Sequence, residues 1–82
     1  MKNFNVEVRI TLKQGILDPE ARAIQHALAD LGFPTSGLST ARIFSISMEA
    51  GDRAEAGEKA RQMCERLLAN PVIHRYEVEV RE

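Results

Sequence analysis

At 82 residues, 44% hydrophobic and 28% charged with a net charge of −1, the chain is predicted to form one domain over residues 1–82, with no room for a second. Its charges are well mixed, which excludes a dedicated polyanion or anionic-membrane surface. No apolar run approaches the ~20 residues of a membrane span, and the Met1–Val8 start does not read as a signal peptide.

The single cysteine, Cys64, excludes an internal disulfide and suits a reducing compartment, so a cytoplasmic protein is expected. A domain this small buries only a little over ~60% of its unfolded surface, and self-association would help it.

In chain order, Phe4, Val6, Val8, Ile10 and Leu12 alternate with Asn5, Glu7, Arg9, Thr11 and Lys13. That period of two predicts a strand with one buried and one wet face. A Lys13–Leu17 loop leads into a well-marked helix. Asp18 stands at the N-cap, Pro19 at the first helical position and Glu20 at the positive end of the dipole. Ala21, Ile24, Leu28 and Leu31 form an apolar stripe that needs a surface to lie on. Gly32 suits a left-handed C-cap, with Phe33 placed to fold back on the last turn.

Phe33–Gly37 is a turn by composition. Leu38–Ala50 reads as a long, bent second strand with two arms, since it exceeds the usual ~5–6 residues without an internal Gly or Pro. Gly51 ends it. Asp52 and Glu55 then imitate a capping box, and Ala56, Ala60, Met63, Cys64, Leu67 and Leu68 form the apolar face of a second helix, to about Ala69. Asn70-Pro71 stops that helix. Val72–Val80 is the last strand, with Tyr76, Val78 and Val80 inward and Arg75, Glu77, Glu79 and Arg81 outward.

The predicted class is α+β: a two-layer β-α-β-α-β sandwich with both helices on one face of a three-stranded, mainly antiparallel sheet. Right-handed crossovers would make the sheet parallel, whereas clean alternation is the antiparallel signature. Division of the middle strand into two arms reconciles the two, giving a ferredoxin-like-related βαββαβ pattern. An arm overhanging its sheet would pair with a second subunit, so Leu38–Ala50 is the expected dimer contact.

Few residues suggest chemistry. His26 lies opposite Ile24 and Leu28 with no nucleophile or carboxylate pair beside it, as a solvated residue would. His74 shares the inward parity of Val72 and Tyr76 and is expected to be partly buried and hydrogen-bonded. Cys64 falls on an apolar helix face, as a small core residue does. The histidines and cysteine match no zinc spacing. Lys13-Gln14-Gly15 lacks the Gly-rich, Lys-Ser ending of a nucleotide cradle. The outward strand positions lack the aromatics of an RNA-binding sheet. No catalytic centre is expected in the chain itself.

Three stretches are nevertheless distinctive together. Leu12-Lys13-Gln14-Gly15-Ile16-Leu17-Asp18-Pro19-Glu20, followed by Ala23–Leu28 and Leu31-Gly32-Phe33, resembles the signature of the PurS family, the small subunit of phosphoribosylformylglycinamidine synthase. Met63–Ile73 with Tyr76 resembles that family's second helix and last strand. The likeness spans nearly the whole chain. It breaks in the second strand, where the family's Val-Arg-x-Gly-Lys reads Ala41-Arg42-Ile43-Phe44-Ser45: Arg42 is kept, and Phe44 and Ser45 replace the glycine and lysine.

The resemblance implies a non-catalytic subunit of a de novo purine ligase. That enzyme converts formylglycinamide ribonucleotide to the formylglycinamidine with ATP and glutamine. It implies a large synthetase subunit, which holds ATP and magnesium, and a glutaminase subunit as partners. This chain would hold no cofactor; it would form a dimer or tetramer and bridge the other two during ammonia transfer. Lys13, Gln14, Gly15, Arg22, His26 and Arg42 are the candidate partner contacts. The competing class is a free-standing regulatory module binding a small ligand at a dimer interface. It would need glycine-lined pockets, for which only Gly15 and Gly37 are placed.

Overall fold

The computed structural model describes Met1–Glu82. Its elements are β1 (Lys2–Leu12), α1 (Pro19–Asp30), β2 (Ala41–Ala50), α2 (Arg53–Met63), a π-helical turn (Cys64–Leu68) and β3 (His74–Arg81). The strands form one sheet in the order β2-β1-β3, antiparallel throughout. Class, element order and strand direction are as the sequence pattern predicts.

β1 is the central strand, and its inner face is the most deeply buried of the three. Phe4, Val6, Val8 and Ile10 are buried on its inner face, and Ala56, Ala60 and Cys64 of the α2 segment close over them. Phe44, Ile46 and Met48 of β2 and Tyr76, Val78 and Val80 of β3 are half-buried around this line. The core is one side chain thick.

Two expectations change. Residues 38–40 do not belong to the second strand; β2 pairs with β1 in one continuous register, from Lys2 opposite Ala50 to Thr11 opposite Ala41. There is no second arm and no overhang. The two-arm division is unnecessary because β1 and β2 are antiparallel neighbours, so the connection between them need not cross the sheet.

The same topology frees α1. The sequence pattern lays both helices on the sheet, yet only α2 packs there. α2 links β2 to β3, which run parallel to each other on either side of β1, so the chain must cross the sheet face to join them. α1 merely returns the chain to the neighbouring strand and can stand away. Ala21 in its first turn is its one buried residue; Ile24 is 40% and Leu31 72% exposed. The molecule is consequently long, 52 × 25 × 16 Å with a radius of gyration of 16.3 Å, against about 12 Å for a compact chain of this size.

The helix boundaries follow the sequence. Asp18 Oδ1 accepts from the Ala21 amide at 3.0 Å. At the other end Gly32 takes φ +96°, and the Phe33 amide donates to the Leu28 carbonyl at 2.8 Å. This is the six-to-one bond of a Schellman ending, although the Phe33 side chain stays exposed. On α2, Asp52 Oδ1 accepts from the Glu55 amide and Glu55 Oε2 from the Gly51 amide. The π-helical turn carries a bond from the Ala69 amide to the Cys64 carbonyl. Its wider turn shifts the helical phase: Cys64 and Ala69 remain buried, while Leu67, an expected core residue, is 84% exposed.

Candidate functional site

The largest concavity is a polar cleft of about 560 Å³ at one end of the sheet, where the outer faces of β1 and β3 meet the Lys13–Asp18 loop and residues 38–40. Its parts are tied down locally. The Lys13 amide donates to the Ile73 carbonyl at 2.8 Å, and Lys13 Nζ donates to the Pro71 carbonyl at 2.6 Å. Gly15 turns the chain with φ +86°, a conformation a residue with a Cβ rarely adopts. Asp18 closes the loop: its second oxygen accepts from Thr40 Oγ1 at 2.7 Å. The Ala21 amide first, and the Thr40 hydroxyl second, hold the Asp18 carboxyl below its ordinary value. Hydrogen bonds to the charged form always act in this direction.

Of the candidate contacts, Lys13, Gln14 and Gly15 line the cleft. Arg22 and His26 are exposed on α1, away from it. Arg42 lies on the inner face, where its guanidinium sits 5.4 Å from the centre of the Phe44 ring. It borders a separate hollow of about 180 Å³ with Glu20, Thr40 and His74. The six residues therefore occupy three separate places.

The cleft also contains Arg9, Arg75 and Glu77, which were not among those candidates. Their outward parity is legible in sequence. The register that brings them together, Arg9 opposite Glu77 and Thr11 opposite Arg75, is not.

The remaining reactive residues are structural. Cys64 is buried, and burial above all pushes its thiol upward, which favours the inert protonated form. His74 is half-buried, and its Nδ1 accepts from the Asn70 amide at 2.8 Å, steadying the turn into β3. The Tyr76 hydroxyl donates to Glu65 at 3.1 Å. No three His, Cys, Asp or Glu side chains cluster closely enough to hold a metal ion, and no helix is long and apolar enough to cross a membrane.

Two apolar surfaces complete the picture. One is the α1 stripe. The other is a groove of about 450 Å³ between α2 and β2, floored by Ile46, Met63, Leu67 and Leu68 and rimmed by Lys59 and Arg66. Exposed apolar area of this kind marks contact surfaces more often than it marks chemistry.

Comparison with known proteins agrees. The family model described as PurS, phosphoribosylformylglycinamidine (FGAM) synthase, matches residues 5–82. A phosphoribosylformylglycinamidine synthase subunit PurS of Archaeoglobus fulgidus is 47% identical over 77 residues, covering 93% of this chain and 96% of that one. The crystal structure of PurS from Methanocaldococcus jannaschii, described as one of the subunits of formylglycinamide ribonucleotide amidotransferase, superposes with a TM-score of 0.87 at 40% identity, covering 96% of each chain. A chain in the structure of PurLQS from Thermotoga maritima superposes with a TM-score of 0.88 at 28% identity, covering 98% of this chain and 99% of that one.

Proposed function

The chain belongs to the PurS family, and on that premise we propose that it is the small, non-catalytic subunit of phosphoribosylformylglycinamidine synthase. In this reading it bridges a synthetase subunit, which binds ATP, magnesium and formylglycinamide ribonucleotide, and a glutaminase subunit, which releases ammonia. Ammonia set free in bulk water dilutes and protonates; docking the two active sites keeps its effective concentration high. The chain supplies position, and the larger subunits supply the reaction.

The observation that carries the reading is the uncovered apolar face of α1. Ile24 and Leu31 remain exposed on a helix that reaches away from its own sheet, as suits a subunit completed by others. A second copy covers part of this surface in our reading, so the unit that meets the larger subunits is a dimer. In this reading the contact joins α1 to the β2 side of the sheet, which keeps most of the Leu38–Ala50 segment expected in sequence. Gly15 and Gly37 do not share a pocket, and no observation favours the small-ligand module.

Reconstitution tests this. The synthetase and glutaminase subunits are mixed with and without this chain, and glutamine-dependent ATP turnover is measured. The expected result is turnover and co-elution only when the chain is present. Equal activity in its absence would remove the assembly role.

A further inference from the structure

We propose that the polar cleft at the end of the sheet receives a carboxylate-bearing loop of one of the two larger subunits, held by Arg9 and Arg75. The inference rests on the assembly reading and adds the chemistry of one contact. Arg9 and Thr11 alternate on the outer face of β1, and Arg75 stands opposite Thr11 on β3, so the two arginines are diagonal neighbours on one wall of the cleft. Neither takes part in any of the molecule's five salt bridges or its side-chain hydrogen bonds. Elsewhere on that face the cationic side chain is matched: Arg81 lies 3.0 Å from Glu79 and 3.9 Å from Glu7.

Two of the cleft's other three charges are held locally. Asp18 is held by Ala21 and Thr40, and Lys13 Nζ by the Pro71 carbonyl. Glu77 faces Arg9 across the strands but does not reach it within salt-bridge distance. Two forked, planar cations on rigid strands match a carboxylate bidentately, and the hydroxyl-bearing Thr11 and Ser39 beside them suit the polar backbone of an inserted loop. A cleft of about 560 Å³ accommodates a few residues of such a loop. The complementary element is therefore an Asp- or Glu-bearing loop.

The test measures assembly affinity of the full chain with the purified synthetase and, separately, the glutaminase, at low and high NaCl. Arg9→Gln/Arg75→Gln and Arg9→Glu/Arg75→Glu are compared with wild type, with thermal unfolding as the check on folding. The expected result is a loss of about thirtyfold or more in affinity for one of the two subunits. The charge-reversed pair is the weaker binder; the salt dependence is reduced in the Gln pair and shifts further, toward tighter binding at high salt, in the Glu pair. Unchanged affinity in the folded Gln pair overturns the proposal and leaves the bridging role, tested by the wild-type mixture, intact. Saturable binding of ATP to the isolated chain, abolished in either double variant, also overturns it, because the arginines then serve a phosphoryl ligand.

Discussion

Thr40 donates its hydroxyl hydrogen to Asp18 across 2.7 Å, so the residue that caps α1 also fastens the chain entering β2. With Gln25 Nε2 donating to the Thr35 carbonyl at 3.2 Å, this bond binds the helix to the segment returning beside it. α1 has almost no packing on the sheet, and these polar ties set its direction.

The cap titrates. Asp18 is depressed below its ordinary 3.8, so its contribution is complete above the ordinary carboxylate range and is lost as pH falls through the lower folded value. Amide exchange at Ala21 and Arg22 is expected to accelerate through that acid window. Asp18→Asn retains a capping oxygen but no titrating group, and should flatten the dependence. Glu55, depressed first by Lys59 and then by the Gly51 amide, moves α2 in the same direction and serves as the internal comparison.

Val8 and Ile24 separate the folded protomer from its assembly. Val8 is 0% exposed, and Val8→Ala should cost about 2 kcal/mol in denaturant unfolding, from two lost methyl groups and the space they leave. Ile24→Ala should change protomer stability by about 1 kcal/mol or less, since two-fifths of the residue is already exposed and Ala favours the helix. In sedimentation the order reverses: Ile24→Ala is expected to weaken self-association by about thirtyfold.

Gly32 terminates α1 with φ +96°. A Cβ there would meet no atom within 4 Å, so Gly32→Ala isolates the backbone term. It is expected to cost about 1 kcal/mol, read as a lower unfolding midpoint with no change in burial of the core.

Phe44 and Ser45 point to opposite faces of β2. Phe44 is half-buried against the core and carries Arg42 over its ring. Phe44→Gly should cost about 2 kcal/mol or more, adding a strand glycine to the lost packing. Ser45 is exposed, and Ser45→Lys should stay within about 0.5 kcal/mol. Denaturation curves of the two single variants check the contrast.

What the sequence by itself determined was local. Asp18-Pro19 and Gly32 bounded α1, Asp52 and Glu55 opened α2, and the period-two run from Phe4 to Leu12 marked the central strand, because each signal depends on neighbours within a turn or a pleat. Lys13, Gln14 and Gly15 were legible as a loop for the same reason. The tertiary structure alone decided that α1 leaves the sheet, since an apolar stripe reports the need for burial and never the partner that meets it. Tertiary structure also turned Leu67 outward, through a π turn that no residue type announces. Arg9 and Arg75 share one cleft because strand register, a long-range choice made by the buried face, placed them there.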